Sequence, residues 1–399
     1  MAAYPMNGAR AWEAPRTEGP GLRIALFSGN YDCVRDGANQ ALNRLVDHLL
    51  TEEGAAVRVY SPVAAVPAFK SAGDVVPVPS VAIPGRSEYR VALGLPARVR
   101  EDIRRFAPDI VHLSAPDWLG RSAQRFAREI GVPVVSSLHT RFETYLDYYG
   151  LRLLRAPVER YLNRFYRGCD RVLAPTEAIA GAFRSQGLDG RVAVWGRGVD
   201  RDQFNPGRRS PELRRELGYA PDEIVPLFFG RLVHEKGLAV FAGVIRAARE
   251  RGYRLRPMVV GEGPARRWFA GQLPDATFLG HLSGERLGMA VASADVLINP
   301  SVTEAFGNVN LEAMACGVPV ISARVPSAEA LIAHGSSGLL VEAAAIADYT
   351  DALERLVISR PLRAALGAAA ARSALSHDWC QQLSGVASVY RECVQPGRR

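Results

Sequence analysis

The chain has 399 residues, 48% hydrophobic and 23% charged, with a mean hydropathy of -0.03. These values argue against a disordered tail and against a membrane-embedded protein, and at about 150 residues per domain the length points to two or three domains. Net charge is +8, and all but two of the 49 basic residues are arginine, the lysines being Lys70 and Lys236. Such an excess suits anionic partners and says nothing about the fold. The five cysteines, Cys33, Cys169, Cys316, Cys380 and Cys393, are odd in number and scattered, with no C-x-x-C pair. That argues against a disulfide framework or a structural zinc site and fits a reducing, cytoplasmic setting. No apolar run of about 18 residues is present to span a bilayer, and residues 1–20 lack the order of a signal peptide.

Residues 1–20 mix Pro, Gly, Ala and charge without a period and read as a disordered leader. Residues 23–27 read as a buried strand, followed by a loop and a helix carrying Ala38, Leu42, Leu45 and Leu49 behind an N-cap at Asp36. The alternation continues with a strand at 56–60, a helix at 97–106, a strand at 109–113, a helix near 121–129 and a strand at 132–138. A second series has strands at 225–229, 258–260, 295–298 and 318–321 with helical stretches between. Apolar strands separated by helices imply parallel sheets covered on both faces. The expected architecture is therefore α/β, with two doubly wound Rossmann-like domains at 21–200 and 201–375. Residues 195–200, followed by the polar stretch 205–211, form the expected hinge. A C-terminal helix is expected within 376–399.

In open parallel sheets ligands bind beyond the carboxyl ends of the strands, so the loops there are searched first. The loop Gly230-Arg231-Leu232-Val233-His234-Glu235-Lys236-Gly237 sets two cations five positions apart, ahead of a helix. Arginine can fork two phosphate oxygens and lysine adds a mobile point charge, which suits a diphosphate. A second loop, Glu304-Ala305-Phe306-Gly307-Asn308-Val309-Asn310-Leu311-Glu312, contains an expected N-cap at Asn308 and a helix over 309–316 ended by Gly317. Its first backbone N–H groups suit an anion, and Glu304 and Glu312 suit sugar hydroxyls on either side of a diphosphate. Taken alone, each loop also reads as solvated surface; their shared position at strand ends favours a binding site. The loop from Ser28 to Ala38, which contains Gly37, fits neither G-x-G-x-x-G nor a P-loop. His139 ends a strand, where a lone histidine is more often structural than catalytic, and His112 on the preceding strand is an equally eligible structural histidine. Gly261, Glu262 and Gly263 follow another strand and read equally as cleft lining or as a tight turn.

Gly-Arg-Leu-x-x-Glu-Lys-Gly at 230–237, the E-x7-E element from Glu304 to Glu312, and Ala313-Met314-Ala315-Cys316-Gly317-Val318-Pro319-Val320 after it resemble one family. It is the large family of retaining, nucleotide-sugar-dependent glycosyltransferases whose two Rossmann-like domains face a central cleft, the GT-B arrangement, family four. The wording Phe306-Gly307-Asn308-Val309 and the stretch His139-Thr140-Arg141-Phe142 with Tyr145, Tyr148 and Tyr149 look most like the subgroup of alpha-mannosyltransferases and glycolipid-forming enzymes. The resemblance implies that Arg231 and Lys236, with the backbone of Phe306, Gly307, Asn308 and Val309, hold the donor diphosphate. It further implies Glu304 on the transferred sugar, Glu312 on the ribose, Gly37 allowing close backbone approach to the phosphates, and His139 beside the donor sugar. The final helix would return to the first domain. The implied co-substrate is a UDP- or GDP-linked hexose, the acceptor a hydroxyl of a lipid or glycan, with no cofactor and no metal.

Alternatives are a hydrolysing epimerase of the same fold and, in another class, a basic nucleic-acid-binding protein. The second is disfavoured because acids are interspersed with the arginines and no nucleic-acid module is recognisable. Residues 150–171 carry six arginines among Leu153, Leu154, Val158, Tyr161, Leu162, Phe165 and Tyr166. They read either as a basic amphipathic segment on an anionic leaflet, which would make the enzyme peripheral to the membrane, or as ordinary core with solvated arginines.

Overall fold

The computed structural model describes residues 21–34, 36–83, 86–139 and 152–394. The expected leader at 1–20 and the stretch Thr140, Arg141, Phe142, Tyr145, Tyr148 and Tyr149 lie outside the described residues. The chain groups into two compact units, Met1–Val135 with Ala387–Arg399, and Ser136–Val386. The boundary expected at residue 200 falls inside the second unit, and the end of the chain belongs to the first.

One sheet contains β1 (Arg23–Phe27), β2 (Ala56–Ser61), β3 (Asp74–Pro77), β6 (Ile110–Leu113), β7 (Val134–Ser137), β8 (Arg171–Ala174) and β9 (Val192–Val194), in the order β3-β2-β1-β6-β7-β8-β9. A separate antiparallel hairpin joins β4 (Ser80–Ile83) and β5 (Arg86–Ala92). The second unit holds a sheet of β10 (Pro226–Phe229), β11 (Met258–Val260), β12 (Thr277–Gly280), β13 (Val296–Asn299), β14 (Val320–Ala323) and β15 (Leu339–Val341), ordered β12-β11-β10-β13-β14-β15. In both sheets the first strand has neighbours on either side that come from opposite directions of chain winding. This order creates a switch point, between β1 and β6 and between β10 and β13, where ligands of doubly wound sheets bind.

The second sheet shows why its strands read as unbroken apolar runs. Successive side chains point to opposite faces, and here both faces are covered. Leu227, Met258, Val260, Leu297 and Val320 enter one apolar cluster with Leu311 and Met314 of the helix Asn308–Ala315. Phe228, Val259, Val296, Ile298 and Ile321 enter the other, with Phe241 and Ile245 of the helix Leu238–Glu250 and Leu353 of the helix Ile346–Ile358.

In the first unit Asp36 caps the helix Gly37–Thr51 by accepting from the Asn39 N–H, and Leu42, Leu45 and Leu49 are buried. The helix Ala97–Phe106 occupies the expected residues. The strands β3, β4 and β5 were not foreseen. Pro62, Pro67, Pro77, Pro79 and Pro84 interrupt the apolar runs of this segment, and a proline inside a run demotes it as a strand signal. In the basic segment at 150–171, the helix Arg155–Tyr166 buries Phe165 and Tyr166 and leaves Tyr161 exposed, as are Leu153 and Leu154 in the 3-10 turn Arg152–Leu154 before it. No helix among the described residues is long and apolar enough to cross a membrane.

Candidate active site

The loops after β10 and β13 flank the switch point of the second unit, and they carry the two motifs. After β10 the chain makes a turn of 3-10 helix, His234–Lys236, before the helix Leu238–Glu250. Lys236 sits at the end of this turn and its Nζ donates to Glu304 Oε1 at 2.5 Å, a half-buried ion pair that ties the first loop to the second. A Cβ built on Gly230 would lie 3.9 Å from Val309 Cγ1, so the same loop also runs beside the start of the helix Asn308–Ala315.

That helix begins differently from the sequence expectation. Its N-cap is Gly307, with φ +93°, and Asn308 is already helical. The left-handed backbone that turns the chain into the helix favours glycine, so the cap falls one residue earlier than the Asn308 cap expected from side-chain preference. No side chain caps the helix. The N–H groups of Asn310 and Leu311 donate to the Gly307 carbonyl, and the residues that open the helix, Asn308 and Val309, carry the partial positive charge of a helix N-terminus. Phe306 contributes only backbone here: its ring is buried in the core and packs edge-on against His377 at 6.1 Å between centroids. Asn308 and Val309 are half-buried, as is Glu312 within the helix.

A buried polar network holds the second loop. Asn299 Nδ2 donates to Asn310 Oδ1 at 2.8 Å, Asn310 Nδ2 donates to Ser322 Oγ at 3.2 Å, and Asn299 Oδ1 accepts from the Ser301 N–H at 3.2 Å. Buried amides persist when they are paired, and this set pins β13, the helix Asn308–Ala315 and β14 to one another. Sequence reasoning missed these residues. The available signal was polarity at two otherwise apolar positions, the end of β13 and the inward face of the helix.

Gly261, Glu262 and Gly263 pack against the first loop. Gly261 has φ +138°, and a Cβ there would sit 1.9 Å from the Gly230 carbonyl oxygen. Leu232 N–H donates to the Glu262 carbonyl, while the Glu262 carboxylate pairs with Arg266. The turn thus supports the basic loop through its backbone.

His139 follows β7, in a cluster of its own. Its Nδ1 lies 2.7 Å from Arg197 Nη2 and its Nε2 lies 2.7 Å from Ser137 Oγ. Trp195 meets the imidazole edge-on at 5.2 Å. The backbone of Arg197 bonds the ring of His377, whose burial lowers its own basicity and which packs on Phe306. His139 is therefore connected through Arg197 and His377 to the residue preceding Gly307. Gly37 belongs to the first unit, where it is the first residue of its helix, after β1.

This geometry coincides with known families. Residues 35–203 match the model described as Glycosyltransferase Family 4, and residues 223–359 match Glycosyl transferases group 1. A "GDP-mannose-dependent alpha-mannosyltransferase" of Mycolicibacterium smegmatis is 32% identical over 376 residues, covering 91% of this chain and 96% of that protein. One of the same name from Corynebacterium glutamicum is 31% identical over 280 residues, 70% of this chain and 65% of that protein. The "Sulfoquinovosyl transferase SQD2" of Arabidopsis thaliana is 31% identical over 369 residues, 90% of this chain and 71% of that protein. Among solved structures, the sucrose-phosphate synthase of Thermosynechococcus elongatus superposes with a TM-score of 0.76 at 18% identity, covering 92% of this chain and 98% of that one. The chain belongs to glycosyltransferase family 4 and has the GT-B fold.

Proposed function

We propose that this glycosyltransferase is a retaining enzyme that moves a hexose from a nucleoside diphosphate sugar to a hydroxyl of a lipid or glycan acceptor. The observation that carries this reading is the meeting of Lys236, Glu304 and an uncapped helix N-terminus at the switch point between β10 and β13. Departure of the nucleoside diphosphate builds negative charge on its leaving oxygen. Arg231, Lys236 and the N–H groups at 306–309 stabilise that charge more in the transition state than in the bound donor. Glu304 accepts from hydroxyls of the transferred sugar, and Glu312 from the ribose. His139 lines the sugar. The cations and helix supply the electrostatic work, so the reaction proceeds without a divalent metal.

GDP-mannose is the first donor to test, because relatives spanning most of the chain are named for it. The sulfoquinovosyl relative at nearly equal identity supports the reaction class and leaves the sugar to experiment. Purified enzyme is incubated with GDP-mannose or UDP-hexoses and neutral or acidic glycolipid acceptors, and the new linkage is assigned by NMR. An α-linked product formed equally well in EDTA is expected, with Lys236→Ala lowering turnover by about two orders of magnitude while circular dichroism stays unchanged. Near-normal turnover in that variant sinks the assignment of the diphosphate site, and acceptor-independent release of free or epimerised sugar points instead to a hydrolysing epimerase.

A further inference from the structure

Arg197 lies in the segment after β9 and is 4% exposed. Its Nη1 donates to the carbonyls of Gly196 at 2.9 Å and Trp195 at 3.3 Å, and its guanidinium carbon sits 4.9 Å from the Trp195 ring centroid. No carboxylate among the described residues pairs with it. A buried cation served only by neutral acceptors and an aromatic face is costly to the fold. Burial brings it down to about 10, which leaves it charged at neutral pH. A fold retains such a group when something depends on its position, and the side chain it reaches is His139, 2.7 Å away and 58 residues earlier in the chain.

A guanidinium has five N–H donors and no acceptor. The nitrogen of His139 facing it must therefore offer a lone pair, so Nδ1 carries no proton and the neutral ring bears its proton on Nε2. That proton points to Ser137 Oγ at 2.7 Å. Protonating Nδ1 would set donor against donor and cation against cation. The perpendicular Trp195 ring packs against the imidazole, and the Trp195 backbone is held by donating its main-chain N–H to the Ala174 carbonyl at the end of β8.

We infer that Arg197 is a positioning residue of the transfer site, locking His139 as the neutral Nε2–H tautomer in one orientation. The functional half of this inference rests on the proposed placement of His139 beside the transferred sugar. With Nδ1 facing Arg197 and the Nε2 proton directed at Ser137 Oγ, His139 serves as a fixed neutral wall, and the acceptor hydroxyl's proton does not pass through it.

The test is nitrogen-15 NMR of the imidazoles of the full chain, with His139 assigned by comparison with His139→Gln. The wild type is expected to show Nδ1 at the unprotonated shift and Nε2 at the protonated one at pH 7. Arg197→Met is expected to give mixed tautomers, and Arg197→Lys, which keeps a cationic donor, to restore the wild-type pattern in part. In turnover, Arg197→Met should lower kcat by about a hundredfold with a smaller change in donor KM, and Arg197→Lys should recover part of the loss. A wild-type spectrum with Nδ1 protonated, or tautomers unmoved by Arg197→Met, overturns the inference without any assay. If the tautomer behaves as expected while His139→Ala transfers sugar normally, the placement of His139 at the sugar fails and Arg197 loses its role in transfer.

Discussion

At the scale of single residues, a second histidine is neutral for a different reason. His112 on β6 and Tyr390 near the C-terminus are both fully buried and share a hydrogen bond between the imidazole Nδ1 and the hydroxyl. Burial pushes His112 down to about 3 and Tyr390 up. A histidine that protonates readily only when unfolded makes the folded state lose ground in acid. Its contribution is complete above about pH 6.5 and is lost progressively as pH falls toward 3, at about 1.4 kcal/mol per pH unit. Urea denaturation of wild type and His112→Gln at pH 6.5, 5.5 and 4.5 should show the stability gap narrowing at that slope. Parallel curves would mean that His112 titrates alike in both states. Apart from the family resemblance around His139, nothing in the sequence separates His112 from His139. Both end up near the carboxyl end of a strand, and only their neighbours, a buried tyrosine and a buried arginine, distinguish them.

At the scale of elements, the loops of the second unit depend on close backbone approach. Gly261→Ala would drive a Cβ into the Gly230 carbonyl at 1.9 Å on a backbone with φ +138°. The expected cost is about 3 kcal/mol or more, a drop of roughly 6–12 °C in Tm, together with loss of donor binding as the basic loop shifts. Gly271, in the helix Arg266–Gln272, has open space around its Cβ position. Gly271→Ala is therefore expected to leave activity alone and to stabilise by about 0.5–1 kcal/mol. Thermal melts of the two variants, with nucleoside diphosphate binding measured beside them, check the contrast; equal shifts would reject it. The places of both motifs in loops after strands were legible in the sequence, because charge, glycine and helix-start residues sit consecutively in each. Asn299, Asn310 and Ser322 were not, since their value lies in pairing with each other across β13, a helix and β14.

At the scale of the whole molecule, the chain leaves its first unit within β7 and rejoins it at Ala387. The helix Trp379–Val394 buries Leu383, Val386, Ala387 and Tyr390. A chain ending at Asp378 loses all four, and the tyrosine alone is worth about 3–5 kcal/mol. Such a truncation is expected to be largely insoluble, whereas one ending at Val394 should melt like the full chain; comparable solubility and Tm for both would show that the last helix is dispensable. The pattern of apolar runs and helical periods determined by itself that this is an α/β protein of two doubly wound sheets; the charges at Arg231, Lys236, Glu304 and Glu312 pointed to an anion site at strand ends, and the resemblance of the motifs around them to one family supplied the reaction class. The tertiary structure decided the strand order, the prolines' tolerance of β3 and the β4–β5 hairpin, the glycine cap at Gly307 and the partners of His139. The physical reason is that local sequence encodes which face of an element is apolar and where it starts or stops. It does not encode which distant strand, carbonyl or guanidinium will be opposite, because that is settled by packing and hydrogen bonding between segments far apart in the chain.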